Sequence, residues 1–170
     1  MMFREISPYE IKDNVFKAID KDWMLITAAK DGTANSMTAS WGSLGILWHK
    51  PIAICFVRPQ RYTYEFCESA DTLSLTFFDE QWRDALKLCG TKSGRDLDKY
   101  AATGLTPVFD GETPYLSEAR LVLLCKKLYV DDLKKANFLD PALLRNYPMD
   151  DFHRVYICEI TKALVREDEV

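Results

Sequence analysis

The sequence predicts a mainly β fold, an antiparallel barrel with peripheral helices, and two observations carry that prediction. About six short apolar runs read as strands, several joined by turns of hairpin length, while helical patterns fall in the longer connections. The chain also has neither G-x-G-x-x-G nor G-x-x-x-x-G-K-[ST], which disfavours a doubly wound nucleotide-binding sheet or an NTPase.

The elements follow in order. Ser7-Pro8-Tyr9-Glu10 is a capping box with proline at the first helical position, and Ile11, Val15 and Ile19 recur every fourth residue. A helix over residues 7–20, packing on the barrel, is expected. Residues 23–29 (WMLITAA) and 34–41 (ANSMTASW) flank Lys30-Asp31-Gly32-Thr33, and D-G between extended runs signals a hairpin. Further strands are expected at 52–58, 72–78, 120–130 and 154–164. Helical spacing marks 61–70, then 79–89 with Asp79 as N-cap and Gly90 just past the end. The same design returns at 94–104, with Leu97 and Tyr100 facing one way and Gly104 as the stop, and at 140–147, where Asp140 caps and Pro141 starts a short helix.

With 170 residues, 48% hydrophobic and 28% charged, and no repeats or linker-like stretches, the chain reads as one domain over 1–170. No run of 18 apolar residues occurs, and the opening MMFREISPYE lacks the pattern of a signal peptide, so a cytoplasmic protein without membrane association is expected. Five cysteines without a C-x-x-C pair suit free thiols in a reducing compartment, with no metal site. A net charge of −4 and a pI near 5.3 argue against nucleic acid as a partner, so any anion binding must be local.

Three clusters could carry chemistry. Along 34–41, alternation puts Ser36, Thr38 and Ser40 on one face and Met37, Ala39 and Trp41 on the other. Small side chains let a flat ligand approach the backbone, but a half-buried strand with a solvated polar face reads the same way. In RPQRYTYEF, Arg58 and Arg61 with Tyr62, Thr63 and the amides of a helix start could cradle phosphate, or could pair with Glu65 and Glu68. In CGTKSGRD, Gly90 and Gly94 bracket Thr91, Lys92 and Ser93, giving either a cationic anion nest or ordinary helix capping. Of the cysteines, Cys55 and Cys125 read as packing thiols, and Cys89, beside the loop, is the best placed to react, though not for catalysis.

Together these segments, with LSLTFFDE and TGLTP in order between and after them, resemble the flavin reductase-like family of FMN-binding split barrels, and most closely its flavoredoxin-type branch. The resemblance spans roughly residues 20–165. It implies that Asn35, Met37, Thr38, Ala39, Ser40 and Trp41 line the isoalloxazine ring of FMN. It further implies that Arg58, Gln60, Arg61, Tyr62 and Thr63, with Lys92, Ser93 and Gly94, hold the ribityl phosphate and ring edge. DFHRVYICEI is similar to the family's G-D-H-x-x-x-x-G-E-[VI] segment, which makes His153 the residue over the flavin where nicotinamide docks; Asp151-Phe152 and Cys158 depart from that pattern. His49, in LWHKP, reads as a turn residue, or as part of a loop near the ring edge. The family's members are commonly homodimers with flavin near the interface. The implied activity is an FMN-dependent oxidoreductase taking hydride from NADH or NADPH through flavin N5 and reducing flavin or another small acceptor. The alternatives are a flavoredoxin-like electron carrier reduced by a protein partner, and a barrel that has lost flavin and serves as a binding module.

Overall fold

The computed structural model describes residues 2–167. Ten strands lie within them: β1 (Phe3–Ile6), β2 (Met24–Lys30), β3 (Thr33–Ala39), β4 (Gly42–Leu47), β5 (Lys50–Val57), β6 (Thr72–Phe77), β7 (Pro107–Asp110), β8 (Thr113–Leu116), β9 (Leu121–Asp132) and β10 (Arg154–Arg166). Seven of these hydrogen-bond in the order β3-β2-β6-β9-β10-β5-β4, β1 adds to β10, and β7 and β8 form a separate hairpin. Every pairing is antiparallel. Four α-helices occupy connections: α1 (Val15–Lys17), α2 (Tyr62–Ser69), α3 (Arg83–Thr91) and α4 (Lys99–Thr103). The architecture is therefore mainly β with peripheral helices, as the sequence predicts.

The strands read as continuous apolar runs because both sheet faces are covered. From β2, Met24, Ile26 and Ala28 point into the barrel with Leu121, Leu123 and Cys125 of β9. Leu25 points the other way, with Val122 and Leu124, against Leu86 and Cys89 of α3. Each such leucine contributes about 1.5–3 kcal/mol by leaving water. β10 pairs with β9 along its length, while its other edge meets β5 from Arg154 to Glu159 and β1 from Ala163 to Arg166. Register shifts at Ile157/Cys158 and Ile160/Lys162 bend it between those two partners.

Several local expectations need correction. The helix over 7–20 is broken: Ser7 and Glu10 do form their capping box, but on a 3₁₀ turn at Pro8–Glu10, and Asn14 caps a second start at Val15. That second piece continues as a π-helical turn, Ala18–Asp22. Asp79 makes no capping bond and instead binds Arg166; α3 starts later, at Arg83, and Gly90 lies inside it. α4 is shorter than 94–104, although Gly104 ends it in the left-handed conformation, φ 75°. Asp140 does cap its helix, which is 3₁₀. Strand β4 and the hairpin β7–β8 were not anticipated. The expected β2–β3 turn has Asp31 and Gly32 at φ 50° and 74°, while the β4–β5 turn reaches the same region with Trp48 and His49, φ 52° and 58°. Its lack of Gly or Asn is why the sequence hides β4, and His49 is indeed a turn residue.

Candidate functional site

The hydroxyl face of β3 is covered at Ser36 and half-buried at Thr38 and Ser40. Ser36 is fully buried and hydrogen-bonds Thr27 at 2.7 Å and the Tyr100 hydroxyl at 2.9 Å. Thr38 Oγ1 donates to the Leu86 carbonyl at 2.5 Å. α3 sits so close that a Cβ on Gly90 would lie 3.3 Å from that of Thr38. Past this cover the strand end opens: Met37, Thr38, Ala39, Ser40 and Trp41 line a cleft of about 190 Å³ together with Phe56, Arg58, Arg61 and His153. β3 is an edge strand of the sheet, so its outer backbone groups are not consumed by another strand.

Arg61 also lines a second hollow of about 150 Å³ with Gln60, Tyr62, Thr63, Thr91, Lys92, Ser93 and Lys99. The start of α2 and the α3–α4 loop are thus brought together, as the two cationic motifs require. Asn35 stands behind them: its Nδ2 donates to Thr63 Oγ1 at 2.7 Å. Gly94 packs on Asn35 so tightly that a Cβ would fall 2.3 Å from its Oδ1 and 3.0 Å from the Tyr62 ring. Arg95 crosses the Tyr62 face and pairs with Glu65, stitching the loop to α2. A larger hollow of about 570 Å³, beside the β2–β3 turn, contains none of the expected site residues.

The electrostatics of the second hollow are unbalanced. Arg61 donates to the carbonyls of Gly90 at 2.9 Å and Cys89 at 3.1 Å, not to Glu65 or Glu68. Lys99, only 4% exposed, donates from Nζ to the carbonyls of Ser36 at 2.8 Å and Cys89 at 3.1 Å. Neither cation hydrogen-bonds a carboxylate among the described residues. Burial lowers the pKa of both; for Lys99, to about 8, with the Arg61 charge adding to the effect of desolvation. A buried and a half-buried cation, hydrogen-bonded only to neutral carbonyls, leave an uncompensated positive site, which an anion would relieve. Sequence reasoning missed Lys99 because a lysine on a helix is exposed by default; α4 gives no signal to the contrary.

Arg58 is placed differently from Arg61. Its guanidinium binds Asp151 at 2.5 Å and the Asn146 carbonyl at 2.7 Å and lies 5.0 Å over the Tyr147 ring. Gln60 donates to the same Asp151 oxygen at 2.6 Å. These contacts tie the connection between β9 and β10 onto the cleft. His153, at the end of that connection, is 7% exposed, 5.3 Å from the Trp41 ring and 6.2 Å from Phe56. Its Nδ1 is 2.7 Å from the Tyr147 hydroxyl. Burial, assisted by Arg58, lowers its pKa to about 4, so the imidazole is neutral at ordinary pH. No motif pointed to Tyr147 or Phe56.

All five cysteines are free and buried. Burial raises the Cys89 thiol, and its backbone carbonyl, not its sulfur, serves the site. Among the described residues no helix is long and apolar enough to cross a membrane.

Comparison with known proteins identifies the family and the fold. The model of the flavin reductase like domain matches residues 17–170. An FMN-binding domain of a flavin reductases-like enzyme from Shewanella baltica OS155 superposes with TM-score 0.70 at 16% identity, covering 96% of this chain and 77% of that one. Flavoredoxin from Methanosarcina acetivorans gives 0.69 at 22%, covering 97% and 78%. An NADH:FAD oxidoreductase of Streptomyces globisporus C-1027 gives 0.63 at 13%, covering 85% and 75%. No match is found among curated proteins.

Proposed function

The chain belongs to the flavin reductase like domain family, and from that premise we propose that it binds FMN across the two joined hollows and acts as an NAD(P)H-dependent oxidoreductase. The observation that carries the reading is the pairing of buried Lys99 with half-buried Arg61, neither hydrogen-bonded to a carboxylate among the described residues, at one end of a strand of small residues. Their surroundings fit a phosphate: Thr63 and Ser93 offer hydroxyls, Lys92 a third cation. Next to them, Thr38, Ala39 and Ser40 leave room for a flat ring, and the β3 edge offers backbone groups to its polar rim. Bound FMN supplies the hydride and electron transfer; the protein supplies orientation and electrostatics. Arg61, which lines both hollows, would favour negative charge on a reduced ring.

His153 and Trp41 border the space where a nicotinamide would dock, and because the imidazole is neutral it does not repel the cationic ring that hydride loss creates. A second reading, an electron carrier reduced by a protein partner, rests on the enclosure of His153 by Trp41, Phe56 and Tyr147, which narrows that space. A homodimer belongs to the proposal too: Tyr9 and Ile46, 75% and 58% exposed, rim an apolar hollow with Leu44, Pro51 and Ile160. Light scattering should give twice the mass of 19.6 kDa.

The test is an absorption spectrum after incubation with FMN and desalting, repeated anaerobically with NADH and then NADPH. Retained flavin bands that bleach support the oxidoreductase. Bands that persist favour the carrier. A protein that neither retains flavin nor binds it on titration refutes both.

A further inference from the structure

Tyr147 has no part in the motifs that locate the flavin, yet the molecule holds it with care. It is 6% exposed, ends the 3₁₀ helix Pro141–Asn146, and lies under the Arg58 guanidinium at 5.0 Å. The rings of Phe138 and Phe152 pack on it at 5.8 and 4.8 Å. Its amide donates to the Leu144 carbonyl at 2.9 Å, and its carbonyl accepts from Asp150 at 3.1 Å. All this fixes the phenol edge-on to His153, ring centres 5.4 Å apart and planes at 84°, with the hydroxyl 2.7 Å from Nδ1.

Counting protons decides which atom donates. Burial raises the Tyr147 hydroxyl, so it keeps its proton, and the neutral imidazole carries one more. If Nδ1–H donated to the phenol oxygen, the phenol proton would have no acceptor among the described residues, since Nδ1 is its sole partner there. If the phenol donates to Nδ1, the imidazole proton sits on Nε2. His153 lines the cleft and Tyr147 does not, so the edge opposite Nδ1 is the one turned to the open space. Nε2 has no hydrogen-bond partner among the described residues and is not among the buried unpaired polar atoms, which agrees with that placement.

We propose that Tyr147 is a positioning residue: its hydroxyl donates to His153 Nδ1, locks the ring as the Nε2–H tautomer, and so presents the cleft with a neutral hydrogen-bond donor suited to a carbonyl acceptor such as a carboxamide. The assignment of the donor is independent of flavin; its use by a nicotinamide carboxamide rests on the function proposed above. Arg58 then serves the cleft indirectly, by clamping Asn146, Tyr147 and Asp151 in the geometry that the tautomer needs.

The chain has two histidines, so the tautomer can be read directly by long-range proton–nitrogen correlation on ¹⁵N-labelled protein, with His49→Asn identifying the second set of signals. The unmodified protein should show an Nε2-protonated pattern for His153. An Nδ1-protonated or mixed pattern overturns the proposal with no variant needed. Tyr147→Phe keeps the ring under Arg58 and removes only the hydroxyl; it should yield mixed tautomers and a higher titration midpoint for His153. Unchanged tautomer and midpoint in that variant overturn the role of the hydroxyl. With NADH as donor, Tyr147→Phe should raise KM about two- to tenfold, the loss of one hydrogen bond, with FMN affinity within about twofold. Unchanged KM beside a changed tautomer overturns the carboxamide assignment alone, and absence of turnover with both NADH and NADPH in the unmodified protein overturns the proposed function while leaving the tautomer result standing.

Discussion

At the scale of single residues, the two arginines of R-P-Q-R have divided their labour. Arg61 faces the hollow with Lys99 and ties down the last carbonyls of α3. Arg58 is spent on Asp151 and Asn146. Arg61→Ala is therefore expected to weaken FMN binding at least tenfold, about 1.4 kcal/mol, in a fluorescence titration. Lys99→Met should do the same, whereas Lys92→Ala, an exposed cation screened by water, should cost only a few-fold. Equal, small effects from all three would remove the phosphate from this hollow. Arg61 was legible because its motif placed a cation at a helix start. Lys99 was not: nothing in KYAAT reveals that α4 turns its first residue inward to the Ser36 and Cys89 carbonyls. Burial of that kind is decided by packing between elements far apart in sequence.

At the scale of elements, the strands with continuous apolar runs and the Asp31-Gly32 turn were readable because local chemistry and fold agree there. β4 was hidden because its turn uses Trp48 and His49 where a hairpin usually shows Gly or Asn, and the N-terminal helix was overextended because apolar residues at every fourth position, Ile11, Val15 and Ile19, persist across a break. Two glycines separate conformational from steric need. Gly32 has φ 74° and nothing within 4 Å of a Cβ, so Gly32→Ala should cost about 1–2 kcal/mol of stability by backbone strain and leave FMN affinity unchanged. At Gly94 an added Cβ would fall 2.3 Å from Asn35 Oδ1. Gly94→Ala must displace Asn35, and through it Thr63, so it should weaken FMN binding by more than any loss in melting temperature predicts. Thermal melts and FMN titrations on both variants check the contrast, and a reversed order would detach the α3–α4 loop from the site.

For the whole molecule, the fold buries two bases, His153 and Lys99, and pH should expose this. His153 titrates at about 4 against an ordinary 6.5, so the unfolded chain binds more protons between those values and stability falls as pH drops through that window, by up to about 1.4 kcal/mol per unit. Lys99 titrates at about 8 against 10.5. The unfolded chain again binds more protons between the two, so stability rises with pH from 8 upward, until the buried thiols, pushed up from 9, oppose it. An anion bound beside Lys99 favours the charged ammonium and must raise its pKa. Binding therefore takes up a proton above pH 8, and affinity has to fall as pH rises. The increase in melting temperature produced by FMN should shrink between pH 7.5 and 9.5, stay flat in Lys99→Met, and be far smaller at every pH with riboflavin, which lacks the phosphate. A shift independent of pH in the unmodified chain would mean that Lys99 does not face the bound anion, because a charge beside a lysine poised near 8 cannot leave its titration untouched.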